Sequence, residues 1–168
     1  KEYTFDTYNN NLYPDKVTFK YPKAGEDNSI LSVHIYDLAS AKTIGVDIGK
    51  ETDIYIPRIQ WTTDNNTLSL QRMNRLQNKI ELMYANAADG SAKTILMEEA
   101  KTYIDITDDL TFLPNSKGFI WSSEADNYNH LYYYDNTGKL INQITKGKWD
   151  VISFNGYDEK SNTLYYIS

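Results

Sequence analysis

The chain has 168 residues, of which 40% are hydrophobic and 14% aromatic, and this is sufficient for one domain with its own core. Its net charge of −6 and the absence of a basic run argue against nucleic acid as a partner. The absence of cysteine excludes disulfides, a thiol nucleophile and zinc–thiolate sites. No apolar run approaches the roughly 20 residues that a membrane-spanning helix needs.

Residues 1–25 are predicted to form an extended arm that does not follow the pattern of the rest of the chain. Residues 3–5 and 17–21 are rich in aromatic and β-branched side chains, which indicates two strands. The three asparagines at positions 9–11 favour a turn between them, and Pro22 marks a bend. A two-stranded ribbon is marginally stable alone, so we expect it to lie on its own blade or on a second subunit.

A unit of strand, Asn/Asp/Gly turn, lysine and strand then occurs three times. Equivalent tyrosines, Tyr36, Tyr84 and Tyr134, are 48 and 50 residues apart. The three copies occupy residues 33–46, 80–96 and 131–141.

A second hairpin pattern precedes the two later copies of this unit, at residues 59–70 and 110–121, and a third copy of it follows at residues 152–167. Four short strands in every roughly 50 residues, with turn signals between them, are typical of β-propeller blades. Each blade is a small antiparallel sheet that buries its faces only against its neighbours.

The sequence therefore predicts an all-β fold with almost no helix. Residues 26–168 are expected to form about three four-stranded antiparallel blades of a partial β-propeller. Closed propellers have typically 4–8 blades, so the chain cannot close its own ring. We expect it to be a piece of a longer protein.

Five groups of residues resemble the propeller domain of dipeptidyl peptidase IV and its relatives in the prolyl oligopeptidase family of serine peptidases. They occur in the family's order and spacing and extend over nearly the whole chain. The groups are residues 21–25 with Asn28; Trp61 with 68–72, Arg75 and 77–78; 121–124 with Tyr128 and 130–132; 144–147 with 149–151; and 164–168.

The resemblance implies an eight-bladed ring above an α/β-hydrolase domain that lies outside this chain. That domain would carry the catalytic serine, aspartate and histidine, and the whole protein would remove Xaa-Pro or Xaa-Ala dipeptides from peptide substrates. No Gly-x-Ser-x-Gly motif occurs here, so no catalytic residue is predicted in this chain. No metal site or cofactor is predicted either. The resemblance also implies a bacterial protein at the periplasmic or extracellular face of the cell envelope.

Two sets of residues acquire a predicted role from this resemblance. The family's propeller extension packs against a second subunit, which implies a homodimer formed through the arm. A loop at residues 101–107 aligns with one that borders the extended substrate pocket, although it lacks the aromatic-and-arginine pattern of the mammalian enzyme. The predicted dimer-arm residues are Tyr3, Phe5, Tyr13, Val17, Phe19 and Tyr21, and those at the chamber border are Tyr103 and Asp105.

Other polar residues have simpler interpretations. The two histidines, His34 and His130, occupy equivalent strand positions, and this favours packing or hydrogen bonding over metal binding or catalysis. Neighbouring residues on a strand point to opposite faces, so the carboxylate pairs at 98–99 and 108–109 are predicted to diverge as solvated loop charge. In the family layout, the glutamates that bind the substrate's amino terminus lie before Lys1.

The polar residues Arg72, Arg75 and Asn78, called the arginine cluster below, are expected to form structural hydrogen bonds between blades. The alternative is that they line the pore. Trp149 is expected to pack in the core.

Two other functions remain open at this stage. One is a stand-alone propeller that binds protein or glycan without any peptidase domain. The other is a sister peptidase, such as an oligopeptidase or an acylaminoacyl peptidase. A Gly-x-Ser-x-Gly motif after Ser168 and a glutamate pair before Lys1 would distinguish these alternatives.

Overall fold

The computed structural model describes residues 2–21 and 23–168, so Lys1 and Pro22, both within the predicted arm, lie outside the described residues. The described residues contain no α-helix, as predicted, and a single 3-10 turn at Pro114–Ser116. Within these ranges no helix is long and apolar enough to cross a membrane. The strands are β1 (Glu2–Thr7), β2 (Asp15–Lys20), β3 (His34–Asp37), β4 (Lys42–Gly45), β5 (Ile54–Trp61), β6 (Thr67–Asn74), β7 (Lys79–Asn86), β8 (Ala92–Glu99), β9 (Thr111–Phe112), β10 (Phe119–Ser123), β11 (His130–Tyr134), β12 (Leu140–Gln143), β13 (Ser153–Asp158) and β14 (Thr163–Ile167).

The strands form antiparallel sheets in the order of a partial β-propeller. Two sheets have four strands, β5-β6-β7-β8 and β9-β10-β11-β12, and each follows the order of the chain. The other strands form three hairpins, β1-β2, β3-β4 and β13-β14. The all-β, partial-propeller prediction is confirmed, although two complete sheets and two blade hairpins replace the expected three or so four-stranded units. The difference arises because residues 26–33 form no strand and only two strands follow β12.

Both faces of the sheet β5–β8 are buried, and each face packs against a different neighbour. Leu68 and Leu70 of β6 join a cluster with Val33 and Ile35 from the β3-β4 side. The alternate residue Met73 joins a second cluster on the other face. Side chains alternate along a strand with a period of two, so successive residues face the preceding and the following sheet.

The second cluster joins the two four-stranded sheets. Leu82 and Tyr84 of β7 meet Phe119 and Trp121 of β10 there. The Phe119 ring is fully buried and lies 6.5 Å from the Tyr84 ring in an edge-to-face arrangement. It also stacks on Tyr134 at 5.5 Å. Aromatic pairs of this kind add stability beyond the area that they bury.

A third cluster packs β9–β12 against the last hairpin. Ile120 and Leu131, which alternate with the residues of the second cluster, meet Val151, Phe154 and Leu164. The predicted core position of Trp149 is confirmed, because its partly buried ring packs against the same cluster. The sheets therefore pack against one another in the order in which they occur along the chain.

Hydrogen bonds connect equivalent positions of the two complete sheets. Gln60 donates through Nε2 to the carbonyl oxygen of Leu110 at 3.1 Å, and Thr63 donates through Oγ1 to that of Leu113 at 3.2 Å. The partners in both bonds are 50 residues apart, the repeat period found in the sequence. Consecutive blades therefore meet in register at their first strands.

The repeated turns also fit closely against the preceding layer. Gly90 and Gly138 both have a positive φ, 76° and 83°, which glycine adopts without steric cost. A Cβ on Gly138 would overlap the carbonyl oxygen of Ile95 on β8, and one on Gly90 would overlap that of Gly45 on β4. The glycines of the second and third turns thus permit close approach between neighbouring blades.

We predict that Phe119→Ala lowers the free energy of unfolding by about 3–5 kcal/mol, because it leaves a cavity in the interface between the two complete sheets. Urea denaturation of the wild type and the variant measures the change. Leu38→Ala is the control, since Leu38 is 90% exposed and its truncation is expected to change stability by no more than about 0.5 kcal/mol. Equal effects of the two substitutions would contradict the packing described here.

Candidate functional site

A cleft of about 750 Å³ lies at one end of the interface between the two complete sheets. The loop from β8 to β9, at residues 100–110, forms one wall of it. The end of β10 and the turn that follows, at residues 122–127, form the other wall. Small residues line the cleft at Ala100, Ser122, Ser123 and Ala125, beside the larger Tyr103 and Trp121.

The first wall is held by the turn between β6 and β7. The Ile104 amide donates to the carbonyl oxygen of Gln77 at 2.9 Å, and the Ala100 amide donates to that of Asn78 at 2.8 Å. The Tyr103 hydroxyl donates to Oε1 of Gln77 at 3.1 Å. Tyr103 and Asp105, the two predicted border residues, both line the cleft. Their place at a substrate chamber stays a prediction.

Glu98 extends from β8 towards the cleft and is held by Trp121. Indole Nε1 of Trp121 donates to Oε1 of Glu98 at 2.9 Å. Burial raises the pKa of the Glu98 carboxyl, while hydrogen bonds from Ser123 and Trp121 oppose that rise. The prediction of solvated loop charge was wrong for Glu98, because β8 continues to Glu99 and directs Glu98 into the interface.

The neighbouring carboxylates also diverge, Glu99 from Glu98 at the end of β8 and Asp108 from Asp109 in the loop that follows. Glu99 diverges from Glu98 and lies 3.7 Å from Nζ of Lys79. Asp108 is exposed and forms an ion pair with Arg58. Asp109 is directed elsewhere, since its Oδ1 accepts from the Phe154 amide at 3.2 Å. The predicted divergence within each pair is correct, and neither the pair at 98–99 nor the pair at 108–109 has the convergent geometry of two catalytic carboxylates.

Gln71 lies beside the cleft and was not singled out in the sequence. Gln71 is only 3% exposed. Its backbone is paired with Arg58 of β5 and with Leu82 of β7, and the residue lines the cleft through its side chain. The side-chain amide has no hydrogen-bond partner within residues 2–21 and 23–168. An amide that is open only to a cleft gives no signal in a single sequence.

The remaining polar candidates have structural roles, as predicted. His130 is fully buried, with Nδ1 3.0 Å from the Thr145 hydroxyl and Nε2 3.1 Å from the Gly147 carbonyl oxygen. His34 lies 3.1 Å from the Ser32 hydroxyl. Among the described residues, no group of three or more His, Cys, Asp or Glu side chains could hold a metal ion.

The two arginines of the predicted cluster form structural hydrogen bonds to neighbouring segments, whereas the Asn78 side chain accepts from Asn74 within the same turn at 2.7 Å. Arg72 forms an ion pair with Glu81 at 2.7 Å and also donates to the carbonyl oxygen of Ile48 in the preceding layer. Arg75 donates to Asp53 at 3.1 Å and to the backbone of residue 26 at 2.9 Å.

The arm is a ribbon with one apolar face. Register pairs Tyr3 with Phe19 and Phe5 with Val17, so these four side chains share a face. The Phe5 and Phe19 rings meet edge to face at 5.5 Å. The opposite face is polar, and Thr4 and Thr18, which face each other there, are hydrogen-bonded at 2.8 Å.

Most of the predicted arm residues are exposed. Phe5, Val17, Phe19 and Tyr21 are all accessible, and Tyr13 in the loop at the tip is 78% exposed. Both strands pair only with each other. The structure therefore brings together five of the six predicted arm side chains and leaves Tyr13 apart at the tip, and their role in dimerisation remains a prediction.

The comparisons with known proteins agree with this architecture. Residues 1–168 match the family model described as the dipeptidyl peptidase IV (DPP IV) N-terminal region. The chain therefore belongs to this family.

The chain is 27% identical over 174 residues to the probable dipeptidyl-aminopeptidase B of Phaeosphaeria nodorum, covering 93% of this chain and 19% of the relative. It is 25% identical over 178 residues to dipeptidyl peptidase 4 of Trichophyton rubrum, and the match covers 99% of this chain and 23% of that relative. The crystal structure of Porphyromonas gingivalis dipeptidyl peptidase 4 superimposes with a TM-score of 0.89 at 39% identity, covering 99% of this chain and 24% of that one. The chain thus spans about a fifth to a quarter of the length of these relatives.

We predict that the stability contributed by Glu98 falls as pH rises. Its folded-state pKa is raised, so the folded protein binds the proton more tightly than the unfolded chain does. The contribution is fully present below the ordinary value of 4.5 and is lost as pH rises through the raised pKa. The free energy of unfolding of the wild type, minus that of Glu98→Gln, should therefore decrease between pH 4 and pH 8.

Urea denaturation at several pH values measures this difference. Glu99→Gln, on the same strand but directed to Lys79, serves as the control for loss of an exposed carboxylate. A wild-type–Glu98→Gln difference that stays constant over this pH range would show that Glu98 is not held in a desolvated position.

Proposed function

We propose that this chain is the non-catalytic propeller part of a serine-type dipeptidyl peptidase that removes Xaa-Pro or Xaa-Ala dipeptides from peptide amino termini. The observation that carries the proposal is the family match over residues 1–168, supported by 39% identity and a TM-score of 0.89 to the P. gingivalis dipeptidyl peptidase 4. The chemistry belongs to an α/β-hydrolase domain of the same protein. The blades wall the chamber above that domain and restrict entry to short peptides.

In this proposal the cleft between the two complete sheets faces the chamber. Tyr103 and Asp105 form its border, and the bonds to Gln77 and Asn78 hold their loop in place. The wall is suited to contacting a peptide, because it combines aromatic, hydroxyl and carboxylate side chains in one concave surface. Its role is to position or select substrate, not to cleave it.

The arm is proposed to bind the equivalent region of a second subunit. Its apolar face carries Tyr3, Phe5, Val17 and Phe19 on one side of a two-stranded ribbon. Aromatic side chains are enriched in the cores of interfaces, and an exposed strand edge readily accepts a partner strand. The whole protein would then act as a homodimer at the periplasmic or extracellular face of a bacterial envelope.

We expect the full-length protein to release dipeptides from Xaa-Pro chromogenic substrates, and this chain alone to give only the buffer rate. The physical reason is that the chain has no activated nucleophile: His130 and its partner Thr145 are both buried, and no described residue orients the His34 ring that contacts Ser32. Initial rates for the two proteins at equal molarity measure the difference. Turnover by the 168-residue chain that survives repurification and is lost on mutation of one of its residues would overturn the proposal.

The arm proposal predicts that Phe19→Glu combined with Tyr21→Glu converts the full-length dimer to a monomer, because two carboxylates would be buried in an apolar interface. Analytical ultracentrifugation measures the change in mass. The matched control is Tyr36→Glu, an exposed aromatic residue of β3 outside the arm, which should leave the dimer intact.

Circular dichroism confirms that each variant is folded. A folded double variant that still sediments as a dimer would exclude the arm as the interface. A Tyr36→Glu variant that dissociates would place the contact elsewhere on the propeller.

A further inference from the structure

The unpartnered amide of Gln71 marks the floor of the cleft as a place for a polar ligand group. Gln71 is 97% removed from solvent, given its 3% exposure, yet its side chain forms no hydrogen bond within the described part of the chain. Among the described residues, the fully buried polar side-chain atoms without a partner are the hydroxyls of Tyr84 and Tyr132, so the Gln71 amide is instead open to the cleft. Because this amide borders an open cleft, a ligand that enters the cleft is able to supply that partner.

The charge of the cleft defines the kind of ligand group. Four carboxylates line it, at residues 98, 99, 105 and 124, and no lysine, arginine or histidine does. Glu99 is compensated by Lys79, and Glu98 is held by Trp121. The carboxylates of Asp105 and Glu124 form no hydrogen bond or ion pair with any described residue. The cleft therefore has uncompensated negative charge at its mouth.

The arrangement suits an organic cation better than a metal ion. No three carboxylates among the described residues lie close enough together to hold a metal. The cleft, at about 750 Å³, is much larger than one ion, and its walls include Tyr103, Ile104 and the face of the sheet at Trp121. Aromatic and aliphatic walls fit the methylene stem of a long cationic side chain, and carboxylates fit its charged end.

We propose that this cleft binds the side chain of a lysine or arginine residue of a peptide. The Gln71 amide oxygen accepts a hydrogen bond from the cationic group, and Asp105 and Glu124 supply the opposing charge. Tyr103 packs on the stem. The inference rests on the proposed function, in which a peptide passes this loop, and it adds a preference for basic peptides. The preference concerns a side chain and not the peptide's amino terminus.

Isothermal titration of the full-length protein with two blocked amino acids tests this directly. Nα-acetyl-arginine amide has a cationic side chain and no free amino terminus, and Nα-acetyl-citrulline amide has nearly the same shape without the charge. We expect the arginine probe to bind at least about tenfold more tightly, as charge-assisted hydrogen bonds are stronger than neutral ones. The difference should shrink when the salt concentration is raised from 0.05 M to 0.5 M.

Variants then assign the binding to the cleft. Asp105→Asn combined with Glu124→Gln should reduce the preference for arginine over citrulline to less than about threefold. Gln71→Leu should weaken binding of the arginine probe by removing the acceptor on the floor. The control is Glu159→Gln, which also removes one negative charge, but at a surface ion pair with Lys117 outside the cleft lining, and it should keep the full preference.

If the double variant does not fold by circular dichroism, Asp105→Asn alone serves, because Asp105 is exposed and its removal is expected to leave the fold intact. Equal affinity of the wild type for the two probes, no binding of either, or a preference that survives the carboxylate variants would overturn the inference.

Rates on neutral Xaa-Pro substrates, measured in parallel, separate the two proposals. Turnover without an arginine preference removes only the cleft inference, and an arginine preference without turnover removes only the peptidase assignment.

Discussion

Face-to-face packing of consecutive sheets is the interaction on which the rest of this structure depends. The sheet β5–β8 has no solvent side in its central strands, since Leu70 faces one neighbour and Met73 faces the other. Burying an aliphatic or aromatic side chain of this size contributes roughly 1.5–3 kcal/mol, and each layer obtains that contribution only from the next one. Stability is therefore distributed along the chain in a series of similar interfaces, and no single central core exists among the described residues.

The cleft is a consequence of the same packing. Phe119 and Trp121 fill the middle of the interface between the two complete sheets, and beyond them the contacting side chains become small. The loop from β8 to β9 must cross this end of the interface, because it leaves the last strand of one sheet and enters the first strand of the next. A concave surface with a fixed wall results, and its polar groups can vary without disturbing the packed centre.

Much of the fold could be predicted from the sequence, because the information lies in local patterns. Nearly every strand was predicted from the roughly 50-residue period, the Asn/Asp/Gly turns and the aromatic runs. Hydrogen bonds between the sheets, such as that from Gln60 to Leu110, join residues that are separated by the same 50-residue period. The two-sided burial of each sheet was also implied by the propeller interpretation. The number of complete sheets was overestimated, since pairing requires neighbouring strands that residues 26–33 do not provide.

The site was less predictable for physical reasons. Tyr103 and Asp105 were identified only through a family resemblance, since a loop sequence does not show which surface it will face. Glu98 resembled an ordinary surface charge, and its environment is set by Trp121, 23 residues further along the chain. Gln71 lies in a strand whose sequence pattern indicates only a structural role. Its importance depends on the absence of a partner, which only the assembled interface reveals.

The role proposed for these blades is to wall the chamber of a peptidase. Cryo-electron microscopy of the full-length protein with a bound, uncleavable peptide tests it most directly. We expect β5–β8 and β9–β12 to appear as consecutive blades, and the loop with Tyr103 and Asp105 to open into the chamber shared with the hydrolase domain. A map in which this loop faces bulk solvent on the outer rim, away from the peptide, would contradict the account.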